Sequence, residues 1–282
     1  MSRAFRAVSL RWATLLAPLI LAGAAAPLRA DPMLGAAKYL VAFKLVNTTG
    51  APAWGYNMIV GNLPSSRFDA PNVSGTPLPK QSVVNPSGSG PALQLQPPTL
   101  LRFRDDVHTV ANNGTQEIKA PTTKLVDPDK EVRITRSVWT DQNGTAIASV
   151  PVPGFKVAGD PIYTIFNDLE DLISFEVRDL QFLSNVPEIP LSLIDPGNMS
   201  GFGPTESPFV LAPNASMDFS VTPDLDPGMW LYAQGDVYST AGDFLGSFLH
   251  GYQRVPEPTT LVLLTAGAAY GALGARRRRS PA

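Results

Sequence analysis

Residues 131–152 constrain the fold more than any other stretch. Glu131 to Thr140 (EVRITRSVWT) alternates, with Val132, Ile134 and Val138 recurring. A period of two puts successive side chains on opposite faces, the pattern of a strand with one face buried. Asp141-Gln142-Asn143-Gly144 follows, and then Thr145 to Val152. Asn143-Gly144 can adopt positive φ, so the stretch predicts a β-hairpin and an antiparallel sheet around it.

The rest of residues 31–254 repeats this style. Tyr39 to Val46 and Trp54 to Val60 read as strands, joined at the Asn47-Thr48-Thr49-Gly50 turn into a hairpin or an adjacent pair. Further strands are expected at Thr99 to Arg104, Val107 to Val110, Thr115 to Lys119, Tyr163 to Phe166 and Leu172 to Leu183. The last third adds Pro208 to Leu211, Ser216 to Thr222, Met229 to Ser239 and Asp243 to Gln253. Residues 61–98 are rich in Pro and Ser with few apolar anchors, and read as a long surface loop with an edge strand at Ala92 to Leu95. No amphipathic helix of useful length occurs in the body, and the chain holds 23 Gly and 28 Pro. The expectation is an all-β body, an antiparallel β-sandwich. No internal repeat stands out.

The two ends differ from this body. Val255-Pro256-Glu257-Pro258-Thr259-Thr260 leads into an uncharged apolar run to Ala275, closed by Arg276, Arg277, Arg278 and Arg279. At ~1.5 Å per residue, residues 259–275 reach roughly 25 Å as a helix, slightly short of a ~30 Å hydrocarbon core. Four arginines then favour the cytoplasmic side. Pro256 and Pro258 keep the chain before the span extended and open to a protease. At the other end, Arg3, Arg6 and Arg11 precede an apolar stretch from Trp12 to Ala26. This predicts a secretory signal peptide, residues 1–30, cut after Ala30 or at Ala24-Ala25-Ala26, or else retained as an N-terminal anchor.

The order Pro256-Glu257-Pro258, apolar span, basic cluster resembles the PEP-CTERM sorting tail of Gram-negative bacteria, over residues 255–282 only. The resemblance implies a transmembrane sorting helix, processing beside Glu257 by an exosortase-type membrane protease, and a host that makes exopolysaccharide. An ordinary C-terminal anchor is the alternative. A sorting tail states a destination and leaves the work of the body open.

Charge narrows the partners. The chain has 22 basic and 24 acidic residues; residues 1–30 hold four of the arginines, and residues 255–282 hold four more with Glu257. The body therefore carries 14 basic and 23 acidic residues, net −9. That balance argues against nucleic acid as a partner. With no cysteine there is neither a disulfide framework nor thiol chemistry.

Catalytic motifs are sparse. The two histidines are His108 and His250. Asp105 and Asp106 precede His108, but alternate sides on a strand would part some of these groups. No Gly-x-Ser-x-Gly elbow, Walker A loop or zinc motif occurs. Asp168, Glu170 and Asp171, and Asp127, Asp129 and Glu131, are carboxylate clusters, expected as solvated surface, with weak Ca2+ binding or glycoside hydrolysis as alternatives. No cofactor and no metal ligand set is expected. Trp54, Trp230 and Tyr232 are candidates for stacking on sugars, against core packing as the other reading. Asn47, Asn72, Asn113, Asn143, Asn198 and Asn214 head Asn-x-Ser/Thr triplets. The resulting expectation is a non-enzymatic secreted protein of the cell surface or matrix, partnered by signal peptidase, exosortase, the membrane during sorting and exopolysaccharide. The alternatives are a carbohydrate-binding module or a secreted carboxylate-based hydrolase.

Overall fold

A computed structural model describes residues 37–84, 98–122, 131–158, 162–184, 200–202, 208–220 and 228–255. The expected signal peptide with Ala30 lies outside the described residues. So do Pro256, Glu257, Pro258, Arg276 to Arg279, Asp127, Asp129 and Ala92 to Leu95. Among the described residues the regular elements are strands and two short 3-10 turns, and no helix is long and apolar enough to cross a membrane.

The strands are β1 (Ala37–Val46), β2 (Gly55–Gly61), β3 (Ser74–Thr76), β4 (Lys80–Val84), β5 (Thr99–Arg104), β6 (Thr115–Pro121), β7 (Arg133–Thr140) and β8 (Ala146–Ser149). They continue as β9 (Gly154–Ala158), β10 (Ile162–Phe166), β11 (Phe175–Ser184), β12 (Ser200–Phe202), β13 (Phe209–Leu211), β14 (Ser216–Ser220), β15 (Trp230–Ser239) and β16 (Phe244–Arg254). All pairings are antiparallel. An eight-stranded sheet runs β12-β11-β15-β16-β1-β6-β3, with β13 also on β11. A five-stranded sheet runs β4-β5-β2-β7-β8, and a three-stranded one β14-β10-β9. The two smaller sheets are joined where Val132 and Phe155 exchange backbone hydrogen bonds of 2.8 and 3.0 Å.

Alternating residues from all three sheets meet in one apolar core: Tyr39, Val41 and Phe43 of β1, Tyr56 and Met58 of β2, Tyr163 and Ile165 of β10. The other face of β1 is apolar too. Leu40 and Ala42 join Leu183, Tyr232 and Leu249 in a second buried cluster. This accounts for the nearly continuous apolar run from Tyr39 to Val46, since a strand buried on both faces loses its alternation.

His250 sits in the main core, 1% exposed, on the face of β16 shared with Phe248 and Tyr252. Its ring stacks on Phe155 at 4.1 Å and lies 4.8 Å from Phe248, and the edge of Phe43 meets it at 5.7 Å. Tyr163 bonds its Nδ1 at 2.5 Å. Burial holds the imidazole well below its ordinary pKa of 6.5 and lifts the Tyr163 phenol above its own. His250 is thus a neutral core group bridging two sheets.

A second polar device appears twice. Asn47 follows β1, where the chain leaves the eight-stranded sheet for β2. Its side-chain amide donates to the Ala51 and Val110 carbonyls, both at 2.8 Å, and its Oδ1 accepts the Thr49 N–H at 3.1 Å. Its backbone pairs with Gly114 and Asn113 at 2.8 and 2.7 Å. Asn167 follows β10, where the chain crosses the other way to β11. Its amide donates to Ile173 and Leu211 at 2.7 and 3.1 Å, its Oδ1 accepts from Leu169, and its backbone pairs with Ala215 and Asn214. Asn113 and Asn214 both adopt φ near +60°, immediately before β6 and β14. The repeat that composition hides is a repeat of this staple.

Several strand expectations need correction. β1 and β2 are not partners; the turn between them is a crossover between sheets. Residues 107–110 form a bend held by Asp105 rather than a strand, with one bridge from Val110 to Ala53. The 61–98 stretch carries β3 and β4 and two 3-10 turns. β9 and β12 went unread, because Pro151 and Pro153 obscured the first and the second is three residues long.

Two outcomes follow. Asn47→Ala and Asn167→Ala should each lower stability by about 2–3 kcal/mol in denaturant titrations, since each strands buried carbonyls. The unfolded chain takes up a proton on His250 below about pH 6.5 that the folded chain refuses. Stability is therefore full above that pH and falls by up to ~1.4 kcal/mol per unit as pH drops toward 5. In His250→Gln, denaturation midpoints from pH 7 to 5 should lose that part of the slope.

Candidate ligand-binding groove

The outer face of the five-stranded sheet is a basic groove. Along β5 the inward residues Leu101 and Phe103 are buried and Arg102 is exposed. Along β2, Tyr56 and Met58 point in, leaving Asn57 and Ile59 half-buried on the outside. β7 adds Arg136, exposed, with Val138 and Thr140. Register sets Arg102 beside Asn57, and Arg136 beside Ile59. From strand spacing and rise, the two arginine Cα atoms lie about 12 Å apart on a diagonal over β2.

Three of the four ladders of this sheet carry a β-bulge: β4–β5, β2–β7 and β7–β8. Bulges bend and twist strands, and the face they shape here holds two adjoining depressions. One, about 220 Å³, has Ile59, Leu100 and Val138 on its floor and Arg136 at its side. The other, about 120 Å³, is bounded by Asn57, Arg102, Arg104 and Asn143. Both share Asn57, Thr140 and Gly144.

Gly55, at the end of β2, lets Thr140 of β7 approach closely. A side chain there would strike Thr140 Oγ1 and approach the Phe103 carbonyl to 3.1 Å. Above it Arg104 reaches from β5 to the β7–β8 turn, where it donates to the Gln142 carbonyl; Asp106 lies 3.9 Å from its Nε. That turn runs from Asp141 to Thr145, with Gly144 at φ +82° and the Asp141 carboxylate accepting the Asn143 and Thr145 N–H groups. Positive φ falls on Gly144 alone, not on both Asn143 and Gly144. No carboxylate lines either depression. Among the described residues neither Arg102 nor Arg136 is in an ion pair.

The residues singled out in the sequence lie elsewhere. Tyr232, expected as a sugar-facing ring, is fully buried and stacks on Trp230 at 5.6 Å and 14°. Trp230 and Trp54 are half-buried, and Tyr56 and Trp139 belong to the core. No exposed aromatic ring lines the groove; Phe103, which bounds the smaller depression, is buried on the inward side of β5. Arg133 ties two of the carboxylates together, bonding Glu131 at 2.5 Å and Asp168 at 3.0 Å. Asp171 accepts from Ser149 at 2.6 Å. Among the described residues no three His, Asp or Glu side chains cluster as a metal site.

Asp105 and His108 are not parted: the bend brings them to 2.6 Å, with Asp105 also accepting the Val107 and His108 N–H groups. The Val107 bond, then the His108 side chain, lowers the Asp105 pKa. Of the Asn-x-Ser/Thr triplets, Asn47 is 0% exposed with its amide nitrogen engaged, so the folded chain offers no acceptor there. The groove itself was missed. Its signal was three arginines at outward positions, Arg102 and Arg104 on one strand and Arg136 on another, in an acidic body.

Comparison with protein-family models, curated proteins and solved structures finds no match. The reading of function therefore rests on the residues themselves.

Gly55→Ala should cost about 1–3 kcal/mol in chemical denaturation, because the added methyl group meets a backbone carbonyl as well as Thr140. An unchanged midpoint would mean that Thr140 turns aside at no expense.

Proposed function

We propose that this chain is an exported, non-enzymatic protein of the cell surface or extracellular matrix of a Gram-negative bacterium, associated with exopolysaccharide. The observation that carries the reading is the ordered tail: Pro256-Glu257-Pro258, an uncharged span, then Arg276 to Arg279. The basic and apolar N-terminal segment ending at Ala30 supports export from the other end. In this reading signal peptidase removes residues 1–30. The apolar tail holds the chain in the inner membrane while an exosortase-type protease cuts beside Glu257.

The body fits a binding role better than a hydrolytic one. Glu131 and Asp168 are both engaged by the Arg133 guanidinium, and Asp171 by the Ser149 hydroxyl, so these carboxylates are already partnered within the fold. His250 is enclosed in the core, out of reach of substrate. The carbohydrate-binding alternative passes from the aromatic residues to the groove on the five-stranded sheet.

Mass measurement of the native protein tests the tail. The expected product lacks both the N-terminal segment and Arg276 to Arg279, and deletion of residues 255–282 should change the compartment in which the protein accumulates. Native material that retains the four arginines would overturn the sorting reading and leave an ordinary anchored domain.

A further inference from the structure

We infer that the outer face of the five-stranded sheet binds an acidic polysaccharide, with Arg102 and Arg136 holding carboxylates of uronate-type sugars and Asn57 and Asn143 bonding their hydroxyls. The extracellular setting rests on the reading above; the chemistry of the groove does not.

Four observations lead there. First, the charge is local and opposite to that of its surroundings. A body of net −9 carries three arginines on one sheet face, with no carboxylate lining the depressions beneath them. Second, two of the three are uncommitted. Arg104 is spent on the Gln142 carbonyl, whereas Arg102 and Arg136 are exposed and outside any described ion pair. A guanidinium is a planar fork that matches a carboxylate with two parallel hydrogen bonds.

Third, the two arginines stand on the strands that flank β2 on either side. Their Cα atoms lie ~12 Å apart, so a sugar chain laid across β2 passes between them. Fourth, the groove between them alternates amide and apolar surface: Asn57 and Asn143 against Ile59, Leu100 and Val138. Sugars present the same alternation of hydroxyls and C–H faces. Single-stranded nucleic acid would call for rings on which bases stack, and the one aromatic residue bounding these depressions, Phe103, is buried.

The test is titration of the full-length chain, in detergent, with polygalacturonate, dextran, polyaspartate and single-stranded DNA. Binding of polygalacturonate and not of dextran is expected. The double variant Arg102→Gln/Arg136→Gln should weaken polygalacturonate binding at least about tenfold, the loss of one or two charge-assisted contacts. Its thermal midpoint should stay at the parent value, because both side chains are exposed. Lys44→Gln, on the other sheet, removes one charge and should leave affinity unchanged. Full affinity in the double variant, equal binding of dextran, tighter binding of polyaspartate or DNA, or no polygalacturonate binding by the parent chain would each overturn the assignment. A failure here with the tail processed as proposed removes the groove and leaves the sorting reading standing.

Discussion

A buried asparagine holds the chain at each of two places where it leaves one sheet for another. The problem is general: a strand that ends inside a layered β fold turns its carbonyls into a region without water, and each must find a donor. Asn47 and Asn167 solve it in the same way, with the side-chain amide feeding carbonyls of the incoming and returning segments and Oδ1 closing a local turn. The sheets can then approach closely enough to share one core. A β-hairpin needs no such device, because its turn is in water. The staple marks two of the places where the topology departs from a simple meander.

The core between the sheets uses its one histidine in a related way. Phe155 comes from β9, Tyr163 from β10, Phe248 from β16 and Phe43 from β1, so the rings about His250 draw on both the large sheet and a small one. A phenol–imidazole hydrogen bond in that setting adds direction to contacts that would otherwise be interchangeable. The same enclosure keeps His250 neutral and away from any substrate. A residue type often read as catalytic is here part of the frame.

Strand content was legible in the sequence because it depends on local alternation and turn chemistry. Glu131 to Ala158 shows both outcomes. The β7–β8 hairpin is present where Asp141 to Gly144 predicts a turn, while β9 beyond it is masked by Pro151 and Pro153. Pairing was far less legible. β1 and β2 are consecutive, joined by a turn-like Asn-Thr-Thr-Gly, and lie in different sheets; the distinction rests on Asn47 reaching Val110, 63 positions away. The aromatic residues misled for a similar reason. Trp230 and Tyr232 do share a face, but the outer side of the large sheet is itself apolar there, through Leu40, Leu183 and Leu249, so sharing a face did not mean reaching solvent. The groove could be assembled only once register placed β5, β2 and β7 side by side.

The sign of the charge around the groove bears on how selective it can be. At physiological ionic strength the field of a net −9 body is screened beyond about 8 Å, so an approaching polyanion meets repulsion only near the surface. Within that distance, attraction comes chiefly from Arg102 and Arg136, above depressions that no carboxylate lines. A diffuse polyanion that lies across the whole surface would meet the surrounding acids as well as the arginines. A chain narrow enough to follow the bulged strands meets chiefly the arginines. An acidic body with a small basic groove therefore discriminates by shape as well as by charge, which a uniformly basic surface cannot do.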